Sequence, residues 1–240
     1  MNNIYNEFNI TKGLPNPSGQ IILIDCMDTI LYRDITLEAV LSLWAKRMGK
    51  EFGVYNKFLY NYRCEVVSSK MHNMVPIDDI YGEIYDHCHH FGLIKQCSPN
   101  VFISSAHSME LEIELKHQYV IPQTVEFLER SKDLGAQIYC VSDFRLSKTD
   151  LIRFFSQKGI SHLFTDVFSS CDIGKTKKHG SIYEHVLNSI HKDPSDCIMI
   201  GDNLKSDCIN ASKAGIKPHL LERVKRPYTS IIKDLLIRFL

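Results

Sequence analysis

The sequence predicts an α/β protein with a doubly wound parallel sheet and a helical insertion after the first strand. The segment Ile21–Ile24 is a short, continuous apolar run, and similar runs alternate with amphipathic helical patterns after Pro122. Continuous apolar strands separated by helices are typical of a parallel sheet that is covered on both faces. Residues 34–118 instead show helical spacing with few strand signals. This difference predicts an inserted bundle of about four helices.

The insertion is expected to begin with a helix that Thr36 caps. Its apolar positions Leu37, Val40, Leu41 and Trp44 follow the three-and-four spacing of a buried helical face. Similar spacing predicts further helices near residues 54–62, 80–91 and 109–115. The insertion is therefore expected to be helical throughout.

After Pro122 the pattern predicts alternating helices and strands that complete the sheet. Ser147 with Asp150 forms a possible capping box for one of these helices. The predicted strands are 136–142, 166–170, 197–201 and 218–221, and the predicted helices include 150–158, 182–190 and an amphipathic terminal segment, 231–240. This organisation assigns residues 1–32 and 119–240 to a core domain and residues 33–118 to a cap domain.

Composition restricts the possible partners and the compartment. Lysine plus arginine and aspartate plus glutamate each number 28, so the net charge is zero, and this balance argues against a nucleic-acid partner. The first residues lack the basic and apolar regions of a signal peptide. Aliphatic runs are too short to span a bilayer. The eight cysteines contain no C-x-x-C pair, which favours reduced thiols in a cytoplasmic protein without membrane contacts.

Three of the predicted strands end in a polar side chain, at Asp25, Ser142 and Asp202. Ligands of open α/β sheets bind outside the carboxyl ends of the strands. These side chains are therefore expected to meet in one crevice, together with a residue from the lysine-containing loop 174–178. Two carboxylates, a hydroxyl and a lysine suit a hard cation and a phosphate group.

The same residues resemble the four motifs of the haloacid dehalogenase-like superfamily. The motifs are Asp25-Cys26-Met27-Asp28-Thr29, Ser142, Lys177 and the segment from Gly201-Asp202 to Asp207. Lys177 is preferred over Lys175 because the lysine of that family commonly precedes an aromatic residue, here Tyr183, at this spacing. The resemblance covers residues 20–32 and 119–222. In detail the chain is also similar to predicted hydrolases of bacterial surface-polysaccharide synthesis.

The resemblance implies a Rossmann-like core, a cap that closes over the site, and an Mg²⁺-dependent phosphatase acting on a small phosphorylated metabolite, such as a sugar or amino-alcohol phosphate. Asp25 would attack phosphorus and form an acyl phosphate. The implied Mg²⁺ ligands are Asp25, Asp202, the carbonyl of Met27 and, directly or through water, Asp207. The implied phosphate-binding groups are Thr29, Ser142, the Asp143 amide and Lys177.

One departure from the family pattern concerns proton transfer. Phosphatases of the superfamily usually carry a second aspartate two residues after the nucleophile, where this chain has Met27. Asp28, a residue of the insertion or a bound water are the candidates to replace it. The general acid and base typically contributes 10²–10⁴-fold to the rate. Slow turnover, or a preference for good leaving groups, is therefore expected.

Two other functions remain open on the sequence. Relatives that cleave carbon–halogen or carbon–phosphorus bonds also lack the second aspartate, and a phosphonate-cleaving enzyme would need a cap lysine, for which Lys46, Lys50 and Lys57 are available. A catalytically weak protein that serves as a binding scaffold is the non-enzyme alternative. The retained Asp202 and Asp207 favour a metal-dependent enzyme over a metal-independent dehalogenase, whereas phosphonate cleavage stays open. The intact Asp25, Lys177 and Asp202 argue against a scaffold.

Within the insertion, His87-Cys88-His89-His90 does not match the spacing of a standard zinc site. On a helix these side chains would spread around most of the circumference, so an exposed polar face is the preferred interpretation. Four basic residues of the insertion are possible substrate contacts, and the sequence does not select among them: Arg33, Arg63, Lys70 and His72.

Overall fold

A computed structural model describes residues 19–70, 75–94, 97–221 and 228–239. Within these ranges the chain divides into two compact units. The first contains the described residues up to Tyr32 and those from Tyr119 to 221. The second contains the described residues of Arg33–Gln118 and the C-terminal segment 228–239.

The first unit is built on a five-stranded parallel sheet, which confirms the predicted fold class. Its strands are β1 (Ile21–Ile24), β4 (Gln137–Ser142), β5 (Asp166–Ser169), β6 (Cys197–Gly201) and β7 (Lys217–Leu220). The strand order is β5-β4-β1-β6-β7, and every neighbouring pair is parallel. The chain builds outward from β1 in both directions, so the strand order reverses there. The carboxyl end of β1 is consequently the expected position of a binding site.

Helices alternate with these strands, as the sequence predicts. They are α5 (Pro122–Asp133), α6 (Lys148–Gln157), the short α7 (Ser170–Ile173), α8 (Ser181–Ile190) and α9 (Asn210–Lys213). The Ser147 hydroxyl caps α6 by accepting a hydrogen bond from the Asp150 amide at 3.1 Å. One apolar cluster packs β1, β4 and β6 against α8 through Leu23, Val141, Met199 and Tyr183. Burial of these strands explains their continuous apolar sequence.

The second unit is helical, as predicted. It contains α1 (Leu37–Phe52), α2 (Asn56–Ser69), α3 (Ile77–His90) and α4 (Pro99–His117). Thr36 caps α1 by accepting a hydrogen bond from the Ala39 amide at 3.2 Å. The shared core includes Trp44 and Tyr81, whose rings stack with centroids 5.5 Å apart. Two short strands, β2 (Leu31–Arg33) and β3 (Gln118–Val120), form a separate sheet that the sequence did not predict.

The C-terminal helix α10 (Tyr228–Phe239) belongs to the helical unit, which corrects the assignment of residues 119–240 to the core domain. The Asp234 carboxylate accepts a hydrogen bond from the Thr36 amide at 2.8 Å, and the Lys233 ammonium lies 2.6 Å from the Asp34 carboxylate. Ile237 packs against the helical core. Amphipathic spacing predicted a helix at this position, but these contacts decide which unit it joins.

No helix in the described part of the chain is both long and apolar enough to cross a bilayer. The eight cysteines are free thiols, as the sequence predicted.

Candidate active site

Lys177 joins two carboxylates at the carboxyl end of the parallel sheet. Its ammonium group donates hydrogen bonds to the Asp25 carboxylate and, at 2.8 Å, to Asp207 Oδ1. Asp25 directly follows β1, and its backbone amide continues the pairing by donating to the Ile200 carbonyl at 2.9 Å. All three side chains are buried, with 3% of Lys177 exposed. The structure thus brings together residues that lie 30 and 152 positions apart in the sequence.

The glycine that ends β6 allows Asp207 to reach this position. A Cβ atom added at Gly201 would lie only 2.3 Å from Asp207 Oδ2, so any other residue would displace the carboxylate. The Asn203 amide donates to the same oxygen at 3.0 Å. Asn203 also begins the π-helical turn Leu204–Ile209, because its side chain accepts from the amides of Lys205 and Ser206. The Gly201-Asp202 motif therefore positions Asp207 through local backbone geometry.

Asp202 completes a group of three carboxylates. One oxygen each from Asp25, Asp202 and Asp207 lie within 4.8 Å of one another, and Asp202 is partly exposed. Within the described residues, this is the one group of three or more potential ligands with such spacing. Carboxylate oxygens are the ligands that hard divalent cations prefer. Three carboxylates beside a single lysine carry an excess negative charge, so these residues fit a Mg²⁺ ion.

Burial and the neighbouring charges together shift the pKa values of Asp25 and Lys177. Burial raises the pKa of Asp25 to about 7; Lys177 opposes this rise, whereas Asp207 and Asp202 add to it. Burial alone would lower the pKa of Lys177, but the adjacent Asp25 and Asp207 carboxylates outweigh it and hold the pKa well above its usual value. The lysine therefore remains charged, and it favours the ionised form of Asp25.

A tight turn after β1 presents the remaining residues of the first motif. The Thr29 hydroxyl donates to Asp25 Oδ2 at 3.3 Å, and Thr29 is buried. Asp28 adopts a left-handed backbone conformation with φ of 58°, and its amide donates to the Leu31 carbonyl at 2.6 Å. Met27 is partly exposed and forms a bridge with Leu31. The roles of the Met27 carbonyl and the Asp28 carboxylate remain predictions.

Ser142 and Asp143 follow β4, the strand beside β1. The Ser142 hydroxyl is buried and accepts a hydrogen bond from the Phe144 amide at 3.1 Å, which leaves its O–H able to donate. The Asp143 carboxylate accepts hydrogen bonds from the backbone amides of Lys177 and Lys178. Lys175, the alternative to Lys177, is exposed and is not part of the cluster.

Two residues that hold the lysine-containing loop, Ser170 and Asn210, were not predicted from the sequence. Ser170 donates a hydrogen bond to the Asp143 carboxylate, and the Asn210 side chain donates to the carbonyls of Lys177 and Lys178. Asn210 lies 33 positions after Lys177, and no local pattern distinguishes it from a surface asparagine. Only the fold reveals these contacts.

The basic residues proposed as substrate contacts in the insertion form ion pairs within the helical unit. Arg33 pairs with Glu114, Arg63 with Glu110, and Lys70 with Glu83, whereas His72 lies outside the described residues. In the histidine segment, Cys88 is buried, whereas His89 and His90 are exposed. The ring centroids of His87 and Tyr62 lie 4.0 Å apart. This arrangement agrees with the preferred interpretation of an exposed polar face.

Comparison with known proteins gives a family and a fold. Residues 20–215 match the family model described as haloacid dehalogenase-like hydrolase. No protein of curated function matches the sequence significantly. A phosphatase of this family from Thermococcus onnurineus is 18% identical with a TM-score of 0.59, over 87% of this chain and 89% of that one.

A 2-haloacid dehalogenase from Pseudomonas syringae pv. Tomato DC3000 is 15% identical with a TM-score of 0.62, over 92% of this chain and all of that one. A protein of the same hydrolase class from Bacillus subtilis, solved with bound magnesium, is 15% identical with a TM-score of 0.56, over 83% and 87% of the two chains. Likeness at these identities establishes the fold alone.

Proposed function

We propose that this chain, which belongs to the haloacid dehalogenase-like hydrolase family, is an Mg²⁺-dependent phosphatase of small phosphorylated metabolites. The observation that carries the proposal is the cluster of Asp25, Asp202 and Asp207 around the buried Lys177 ammonium. A buried carboxylate beside a fixed cation and further hard oxygen ligands suits nucleophilic attack on phosphorus.

Asp25 is the proposed nucleophile. Lys177 holds Oδ1, whereas Oδ2 accepts only a long hydrogen bond from Thr29 among the contacts described, so Oδ2 is the oxygen that attacks. A bond forms between this oxygen and phosphorus while the bond to the ester oxygen breaks. Water then attacks the aspartyl phosphate, releases inorganic phosphate and restores the carboxylate.

The other groups offset negative charge and hold the phosphate oxygens. Asp25, Asp202 and Asp207 would hold Mg²⁺, whose positive charge would reduce the repulsion between these carboxylates and a phosphate dianion. Lys177 balances charge on Asp25 and on the phosphoryl group, and the Ser142 hydroxyl donates to a phosphoryl oxygen. Without a lysine or a cation, the site would repel its substrate.

Proton transfer to the leaving group is assigned to Asp28 because Met27 has no ionisable group. The left-handed conformation of Asp28 costs about 1 kcal/mol for a residue other than glycine. Such conformations persist where the surrounding structure requires them. This assignment predicts a lower rate than in relatives whose acid lies two residues after the nucleophile.

The proposed substrates are small phosphate monoesters, with sugar and amino-alcohol phosphates first. The similarity of the sequence to predicted hydrolases of surface-polysaccharide synthesis supports testing glycan precursors as a subset. The free thiols fit the predicted cytoplasmic location.

A panel of metabolite phosphates, assayed for phosphate release with and without Mg²⁺, tests this proposal. We expect Mg²⁺-dependent release by the wild type and none by Asp25→Asn, together with a stable beryllium-fluoride adduct of the wild type. Absence of turnover and of adduct formation would instead favour a binding scaffold.

Carbon–halogen hydrolysis is the second candidate, because Met27 replaces the acid that phosphatases usually carry. Halide release from 2-haloacids without added metal would support it and contradict the phosphatase. The three clustered carboxylates favour the metal-dependent reaction. Phosphonate cleavage would need a cap lysine, and one of the three candidates, Lys46, donates to the Ile237 carbonyl at 2.6 Å within the helical unit.

A further inference from the structure

The backbone of Lys177 and Lys178 is held by one side chain on its amide side and by another on its carbonyl side. Asp143 Oδ1 accepts from the Lys177 amide at 2.9 Å, and Oδ2 accepts from the Lys178 amide at 3.0 Å. The Asn210 side-chain nitrogen donates to the carbonyls of Lys177 and Lys178, both at 2.9 Å. Two side chains thus bind four consecutive backbone groups of a loop that lies outside any helix or strand.

The side chains of Asp143 and Asn210 are themselves held in place by the surrounding structure. Ser170, which is fully buried, donates a hydrogen bond to the Asp143 carboxylate from the start of α7. Asn210 is buried at the start of α9, directly after the turn that carries Asp207. The loop that supplies the lysine is therefore tied to the segments that supply Asp143 and Asp207.

The lysine needs such anchoring because its side chain is long and its position is demanding. A lysine loses about 2 kcal/mol of rotamer entropy when its side chain is fixed. Its ammonium group must nevertheless lie between Asp25 and Asp207 before a substrate arrives. Catalytic groups held in place in advance avoid reorganisation during the reaction.

We propose that Asp143 and Asn210 act as a pair of positioning residues that place the Lys177 ammonium between the two carboxylates. The functional consequence rests on the proposed phosphatase reaction, in which Lys177 contacts the phosphoryl group. The side chain of Asp143 acts on the loop backbone, so its effect on turnover passes through Lys177.

Isosteric exchanges test the pair most sharply. Asp143→Asn turns an acceptor into an amide donor that faces a backbone N–H, and Asn210→Asp places carboxylate oxygens against two carbonyls. Asp172→Asn is the matched control, because Asp172 is exposed and accepts a single backbone amide, that of Lys148, at 2.6 Å. Ser170→Ala removes only the support behind Asp143 and provides a milder variant.

The first measurement is acetylation of Lys177 by acetic anhydride, followed by mass spectrometry, with exposed Lys213 as the internal reference. We expect both exchanges to raise the relative rate at Lys177 by about tenfold or more, because anchoring no longer keeps the amine buried and paired. Thiol labelling of the fully buried Cys140 must stay slow, which separates loop release from unfolding. Protection of Lys177 equal to that of the wild type in both exchanges would overturn the proposal.

The second measurement determines kcat and KM separately for a phosphate ester in the presence of Mg²⁺. We expect kcat to fall by about tenfold or more in both exchanges, with a smaller rise in KM and no change in Asp172→Asn. A lower melting temperature with wild-type kcat would assign the pair a structural role only, and would overturn the proposal. If the wild type hydrolyses no ester, the acetylation rates still test whether Asp143 and Asn210 position Lys177. Failure of the proposed phosphatase function can therefore be distinguished from failure of the positioning proposal.

Discussion

Each unit contains a buried ion pair, and the two pairs differ in their balance of charge and in their access to solvent. In the helical unit, the Arg63 guanidinium binds the Glu110 carboxylate, which also accepts a hydrogen bond from the Tyr81 hydroxyl. One cation and one anion balance there, and the guanidinium lies 5.2 Å from the centre of the Trp44 ring. Aromatic rings thus enclose a neutral pair.

In the sheet unit, one ammonium group contacts two of three clustered carboxylates, and the third, Asp202, is partly exposed. The excess negative charge and the access to solvent leave room for a cation and an anionic ligand. Burial of a charge does not by itself indicate function, since structural ion pairs also perturb pKa values. The imbalance of charge and the partial exposure of Asp202 distinguish the cluster of the sheet unit from the pair of the helical unit.

The largest expected effect is the loss of turnover in Asp25→Asn. An amide cannot form the acyl phosphate, so phosphate release should fall by about 10³-fold or more, while the circular-dichroism spectrum and the melting temperature change little. Glu110→Gln provides the contrast, because it alters a buried carboxylate of the helical unit and should leave kcat of the folded protein unchanged. Retained turnover in Asp25→Asn would mean that the nucleophile is wrong.

Removing the cation from the balanced pair should act on stability. Arg63→Met leaves the Glu110 carboxylate buried without its cation, which typically costs about 3–5 kcal/mol. Denaturant unfolding measures the loss, and the double variant Arg63→Met/Glu110→Gln should recover most of it. Turnover per folded molecule should stay within about twofold, whereas Lys177→Met should abolish it. Equal effects of the two substitutions on turnover would break the distinction between the pairs.

Mg²⁺ should stabilise the wild type through the unbalanced site. At about 100 times its Kd, the ion adds about 2.7 kcal/mol to the free energy of unfolding, which thermal unfolding at rising Mg²⁺ concentrations measures. Asp202→Asn should lose most of this gain. Asp193→Asn, which changes an exposed aspartate bonded to the Ser195 amide, should keep it. An equal gain in both variants would exclude the carboxylate cluster as the binding site.

The smallest expected effect concerns proton transfer. Met27→Asp restores an acid two residues after the nucleophile and should raise kcat by about tenfold. Asp28→Asn should reduce kcat by a similar factor, and Asp28→Gly, which accepts the positive φ, controls for backbone strain. Unchanged rates in all three variants, measured with a poor leaving group, would mean that proton transfer does not limit turnover.

The local sequence predicted much of this site, because its chemistry lies at strand ends. Asp25, Ser142 and Asp202 each follow or end an apolar run, and parallel strands bring such ends to one edge of the sheet. The glycine before Asp202 also has a local cause, since Asp207 packs where its Cβ would lie. Placement of Lys177 required the family spacing, as Lys175 is equally plausible from composition.

Other features depend on contacts between distant segments. The C-terminal helix joins the helical unit through Asp234 and Ile237, although its own amphipathic pattern would fit either unit. Arg33 and Arg63, two of the basic residues named as possible substrate contacts, form ion pairs with Glu114 and Glu110 of the helical unit. The fold around a side chain determines its partner, and the hydrophobic periodicity of the sequence does not predict that partner.

The sequence alone determined that the chain forms a parallel sheet with a helical insertion, since hydrophobic periodicity reflects which faces are buried. Only the tertiary structure decided that Lys177 lies between Asp25 and Asp207, and that Asp143 and Asn210 hold its backbone. Burial leaves a pattern in neighbouring residues, whereas a hydrogen bond between residues 33 positions apart leaves none.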